Sequence, residues 1–259
     1  MTHQHKKQNL SPLDRVDLAL ASRLVGTGIE QDLIAAAQRA LDGIRLPAPA
    51  DAEFLISLLR LRGLAINDDE AEKVIAGRHS KIPALSQEYR LLCGLKECLN
   101  MVRERAATEN PPDGWFMVEL FRTMVRDLPR FRDNDLRRCP PWDAMLYINY
   151  PAPEHLRFLI DSFDSERCYR DAPLVFNSMH PVRQGFRMMW RFMRLSPFPD
   201  YNAVIAWLGM NTWLQIKGYP LLSAEKEDQQ FLAKLLSGPP PTEVVPYETR
   251  LLAAFHKAG

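Results

Sequence analysis

The sequence predicts a mainly α-helical fold carrying one short β-hairpin, and three observations lead there. Apolar residues recur at three- and four-residue spacing along most of the 259-residue chain. Serine, aspartate and proline stand ahead of several of these runs, where helices start. Strand-like sequence is confined to Leu136–Cys139 and Met145–Ile148, flanking Pro140-Pro141-Trp142-Asp143, which reads as a short hairpin.

The elements follow in order. The polar start, M-T-H-Q-H-K-K-Q-N, is expected to fray. Ser11 caps a first helix with Pro12 in its first turn, and a second fits Ile29–Ile44 before Leu46-Pro47-Ala48-Pro49. Asp51 is placed to cap a third helix, Ala52–Leu61, and Asp68 a fourth over Glu70–Ala76. Ser86 to Arg105 is periodic, with Leu91, Leu92, Leu95, Cys98, Leu99 and Val102 on one broad face. Asn110-Pro111-Pro112-Asp113-Gly114 breaks the chain before a helix at Trp115–Val125. After the hairpin, helices are predicted at Glu154–Phe163, Leu174–Met179, Phe186–Leu195, Ala203–Lys217 and Ala224–Leu236. Gly238-Pro239-Pro240-Pro241 then leads stiffly to a last helix, Tyr247–His256. This divides the chain into an N-terminal helical extension (1–50), a helical core (51–236) and a Pro-rich linker with its C-terminal helix (237–259).

Bulk properties exclude several functions. Lys+Arg total 33 and Asp+Glu 32, so the formal charge of +1 gives no general attraction to nucleic acid or an anionic membrane. Arg130, Arg132, Arg137 and Arg138 with Phe131 form a basic, aromatic-interleaved stretch of the kind that binds single-stranded nucleic acid. Asp127, Asp133 and Asp135 dilute it, so it reads as a solvated edge. No apolar run approaches the roughly 20 residues of a membrane span, and no secretory signal opens the sequence. Cys93, Cys98, Cys139 and Cys168 lack zinc-ligand spacing. A reducing, cytoplasmic location is expected.

The stretch from Phe176 to Leu222 carries the chemistry. F-N-S-M-H-P-V-R-Q-G-F-R-M-M-W-R is followed by an apolar helical run and W-L-Q-I-K-G-Y-P-L-L. This outline resembles the active-site loop of the Fic (Fic/Doc) family, which transfers a nucleotide monophosphate, usually AMP, onto protein hydroxyls. The family's loop reads H-x-F-x-[D/E]-G-N-G-R-x-x-R. Aligned without gaps, the chain keeps His180, Gly185 and Arg191, with Val182 at the Phe, Gln184 at the acid, and Phe186, Arg187 and Met188 at N-G-R. The resemblance implies a Fic-like helical bundle whose hairpin is the target-docking flap. Tyr150–Pro153 is similar to the prolines that follow that flap, and Gly218-Tyr219-Pro220 to a Gly-Tyr-Pro that closes the helix after the active site. Leu58–Gly63 (L-L-R-L-R-G) sits where many members carry an inhibitory S-x-x-x-E-G helix, with Arg62 at the glutamate. The family's glutamate pairs with the second loop arginine. Arg62 is therefore expected to face Arg191 and repel it.

The resemblance implies His180 as general base, a role suited to imidazole because its pKa lies near working pH. It implies ATP with Mg²⁺ as donor, yet Gln184 offers magnesium only a neutral oxygen, so no metal ligand is assigned and nucleotide is expected to bind weakly. Gly185, Arg187 and Arg191 remain as anion ligands. Arg187, Arg191 and Arg194 share a helix face, and that face is equally readable as a solvated one opposite the apolar stripe Phe186, Met189, Trp190 and Met193. Two functions stay open: a divergent transferase using His180, with AMP or another phosphate-containing group, and a catalytically inactive module that binds a protein partner at the hairpin or the former cleft.

Overall fold

The computed structural model describes residues 50–132, 135–144, 148–163 and 181–225. The helices predicted at Ser11, Ile29–Ile44, Leu174–Met179 and Tyr247–His256 lie outside the described residues, as does nearly all of Ala224–Leu236. His180 lies outside them too.

The described residues form helices α1 (Asp51–Leu61), α2 (Asp68–Ile75), α3 (Gln87–Ala107), α4 (Gly114–Val125), α5 (Leu156–Asp161), α6 (Pro181–Leu195) and α7 (Asn202–Ile216). Single 3₁₀ turns stand at Pro129–Phe131 and Pro153–His155. Ser86 caps α3 through Tyr89 N–H at 3.2 Å, and Asp113 caps α4 through Phe116 N–H at 2.7 Å. Two starts differ from expectation. Asn67, one residue earlier than Asp68, accepts from Glu70 N–H at 3.0 Å and caps α2. Asp51 makes no cap; its carboxylate is bound by both terminal nitrogens of Arg103 on α3, at 2.5 and 3.0 Å.

Helix α7 is the centre of the bundle. It is apolar around its circumference and buried from Asn202 to Leu214, as a helix with neighbours on every side must be. It packs against α6, α3, α1 and α4. Its buried polar side chains are satisfied within the fold: Thr212 Oγ1 donates to Leu208 O at 2.9 Å, and Asn211 Nδ2 to Trp207 O at 2.9 Å. Phe121 of α4 stacks on Phe198, just ahead of α7, at 4.2 Å between ring centroids.

Helices α3 and α4 approach so closely that one position admits only glycine. A Cβ on Gly94 would lie 2.3 Å from the backbone oxygen of Met124. Backbone cannot swing aside as a side chain does, so Gly94→Ala should destabilise the protein by about 3 kcal/mol, the upper range for overpacking. Urea unfolding measures this; a loss below roughly 0.5 kcal/mol, the ordinary surface range, would mean the helices separate freely there.

The hairpin segment takes no strand in its described part. Residues 135–144 run through bends and turns, and 145–147 lie outside the described residues. Pro140 and Pro141 have no N–H to give a ladder. The flanking N–H groups of Arg137 and Trp142 donate instead to Pro197 O (2.9 Å) and Pro199 O (2.7 Å). The segment is thereby fastened to the connection between α6 and α7. Arg137, expected on a solvated edge, is buried; its guanidinium donates to the carbonyls of Ser196 (2.7 Å), Pro151 (2.6 Å) and Cys139 (3.3 Å).

Candidate functional site

Helix α6 contains the residues expected to form the anion-binding loop. The predicted polar turn ahead of Phe186 is already helical, since α6 runs from Pro181. Amide groups from Gly185 onward therefore point along the helix. Gly185 faces α7: a Cβ there would stand 3.2 Å from Trp213 Cδ1 and 3.4 Å from Met210 Cγ. Phe186 is fully buried in the core, Arg187 is buried, and Arg191 is half-buried on the same helix.

A second stretch fits the loop pattern. Along S-P-F-P-D-Y-N-A-V-I-A-W, from Ser196 to Trp207, Phe198 stands at the aromatic position, Asp200 at the acid and Asn202 at the asparagine. Ser196 takes the histidine position, Tyr201 the first glycine, Ala203 the second, and Val204 and Trp207 the two arginines. The geometry supports this register. Tyr201 has φ 61°, the left-handed conformation that a glycine adopts freely and a tyrosine rarely does. Asn202 then opens α7, the helix that Gly218-Tyr219-Pro220 closes. The missed signal was this spacing: Gly-Tyr-Pro ends the helix that starts at Asn202, a whole helix later than His180.

The segment is closed by its own contacts. Phe198 N–H donates to Asn202 Oδ1 (2.9 Å), and Asn202 Nδ2 returns a bond to Phe198 O (3.0 Å). Asp143, from the fastened segment, accepts from Asn202 N–H (2.8 Å) and Asn202 Nδ2 (2.9 Å). Asp200, 2% exposed, accepts from Arg62 Nε at 2.6 Å, from Arg62 Nη2 at 3.3 Å, from Tyr201 N–H at 2.7 Å and from Arg130 Nη2 at 3.5 Å. Arg62 therefore has a carboxylate as its partner, which corrects the expected confrontation with Arg191. Arg62 reaches it because α1 ends at Leu61 in a turn through Gly63, with Leu64 N–H donating to Leu59 O at 3.0 Å.

Tyr201 completes the plug. Its ring is 1% exposed, and its hydroxyl accepts from Gln87 Nε2 (2.6 Å) and Arg130 Nη2 (2.7 Å). These bonds and the ring's burial, which also raises the phenol's pKa, offset the strained backbone. Ser196 donates its hydroxyl to Met193 O at 2.6 Å. A serine hydroxyl is no general base near neutral pH, whereas an imidazole is. Val204 and Trp207 bring no charge, and Trp207 Nε1 donates to Leu222 O at 2.8 Å. The acid position is saturated by guanidinium groups, and among the described residues no three His, Cys, Asp or Glu side chains gather to hold a metal.

Burial raises the pKa of Asp143, helped by the nearby Asp200 charge and opposed by the Asn202 bonds. A carboxyl whose folded pKa lies above its unfolded value of about 3.9 stabilises the fold most at low pH, and that contribution is lost as pH rises through the folded value. The stability of the native protein relative to Asp143→Asn should therefore decline as pH rises from about 4. Urea unfolding across that range checks it; a difference that grows with pH contradicts it.

No protein-family model matches the chain, and no curated protein is similar to it in sequence. Solved structures are. A Fic domain-containing signaling protein from Bacteroides thetaiotaomicron superposes with TM-score 0.63 at 17% identity, over 96% of this chain and 95% of the other. Fic-1 from C. elegans gives TM-score 0.60 at 13% identity, over 93% of this chain and 81% of the other, and a variant form of it gives 0.61 at 12% identity, over 95% and 81%. At these identities the likeness concerns architecture, and it agrees with the helical order read from the sequence: the chain has the Fic fold.

Proposed function

We propose that this chain is a non-catalytic Fic-fold protein that binds a protein partner. One observation carries the reading: at the segment matching the family's loop, the acid is bound by Arg62 and Arg130, and the positions for base and phosphate ligands hold Ser196, Ala203, Val204 and Trp207. Adenylyl transfer needs a base on the target hydroxyl and cations on the phosphates. ATP and Mg²⁺ do not fit this set. The partner surface follows from what remains accessible beside the closed segment. Trp142 is 52% exposed next to Pro199, and Arg130 stands over its ring at 5.5 Å. Exposed aromatic and arginine side chains are the residues that most often anchor protein interfaces.

The test is incubation with cell extract and labelled ATP, and separately UTP, GTP and CDP-choline, using native protein and His180→Ala. No label should transfer in either form, and a partner recovered with the native protein should be lost with Trp142→Ala. Transfer that falls by about 10²–10⁴-fold on His180→Ala would establish the transferase reading, with Gly185, Arg187 and Arg191 as its anion ligands.

A further inference from the structure

We propose that a pocket distant in sequence from the loop segment, between the first half of α3 and the turn after α4, binds a small phosphomonoester. The pocket has a volume of about 410 Å³, within the range of small-ligand sites, and its walls include Tyr89, Arg90, Cys93, Arg126, Asp127 and Arg132. Three guanidinium groups meet one lining carboxylate there, and their pairing is uneven. Arg126 is neutralised by Glu97, which accepts from both its terminal nitrogens at 2.9 Å. Asp127 adds only a 3.9 Å contact to Arg126 Nε. Arg90 donates to the backbone oxygen of Asp127 at 2.9 Å, a neutral acceptor. The Arg132 side chain makes no hydrogen bond or ion pair with the described residues.

With Arg126 paired to Glu97, Arg90 and Arg132 outweigh the one lining carboxylate, Asp127, and their guanidinium forks match a phosphate group, whose terminal oxygens accept paired N–H donors. The Tyr89 ring, with Pro129 and Ala84, supplies the smaller, apolar part of the wall, against which a small aromatic ester group can pack. The inference is of binding alone. It is independent of the reading given for the loop segment.

Cys93 lines this pocket while Cys139 is an exposed free thiol elsewhere, which gives a site-specific readout. Phenyl phosphate serves as the probe, with phenol and sodium chloride at matched ionic strength as controls. Alkylation of Cys93, followed by peptide mass spectrometry, should slow in a saturable way with half-protection below the order of 1 mM, while Cys139 is unaffected. Arg132→Gln, which removes no side-chain hydrogen bond or ion pair among the described residues, should weaken protection about tenfold, and Arg90→Gln with Arg132→Gln should abolish it. Thermal melts confirm that the variants remain folded. Protection by salt or phenol alone, equal protection in Arg132→Gln, or no protection of Cys93 would each overturn the assignment.

Discussion

Replacing Arg62 by alanine should destabilise the protein by about 3–5 kcal/mol, the cost of leaving a buried charge without its main partner. Asp200 is 2% exposed, and after the substitution only the 3.5 Å contact to Arg130 and the Tyr201 amide would remain on it. Arg62→Glu should be worse still, because it sets a second carboxylate against Asp200. Combining Arg62→Ala with Asp200→Asn should recover part of the loss, since the uncompensated charge is then gone. Denaturant unfolding of the three variants decides the matter. A cost for Arg62→Ala near zero would show that water, and not the arginine, satisfies Asp200.

Phe198→Ala should cost a similar amount, about 3–5 kcal/mol, as a fully buried phenyl ring is lost. The ring stacks on Phe121 at 4.2 Å and lies 5.8 Å from Phe192, so its removal leaves a cavity between α4, α6 and the loop segment. Its neighbouring backbone also sets the bonds to Asn202, and the loss should be accompanied by greater exposure of Trp142. Tryptophan fluorescence and urea unfolding report the two effects together. A loss under about 1 kcal/mol would mean that the segment is supported by its polar bonds and not by the core.

Much of the fold was legible because helix periodicity is a local property. The buried face of α3 and the apolar stripe of α6 follow from spacing alone. The cap errors at Asp51 and Asp68 have one source: a side chain placed to cap can be drawn to a tertiary partner or displaced by a neighbour, as Arg103 and Asn67 show. The predicted hairpin is not seen in the described residues for a related reason. Leu136–Cys139 has strand-like composition, but the N–H groups of Arg137 and, in the expected turn, Trp142 pair with Pro197 and Pro199, more than fifty residues later.

The second stretch that fits the loop pattern was harder to find because it lacks most of the residues by which that pattern is read. With histidine, both glycines and both arginines replaced, S-P-F-P-D-Y-N reads as an ordinary inter-helix connection. The His-Pro at 180–181 then attracts the alignment by its first two residues. What identifies the segment is conformational and long-range: a tyrosine held at φ 61°, an acid paired with an arginine 138 positions earlier, and the helix between Asn202 and Gly218. The pairing of Arg62 with Asp200 is invisible until the two residues are seen together.

The most direct test of the account is calorimetric titration of the protein with ATP and Mg²⁺. With Asp200 bound by two guanidinium groups and Tyr201 filling the glycine position, the account predicts a dissociation constant on the order of 1 mM or weaker, with no dependence on magnesium. Micromolar, magnesium-dependent binding would contradict it, because the segment would then have to open and Asp200 exchange its arginines for the metal.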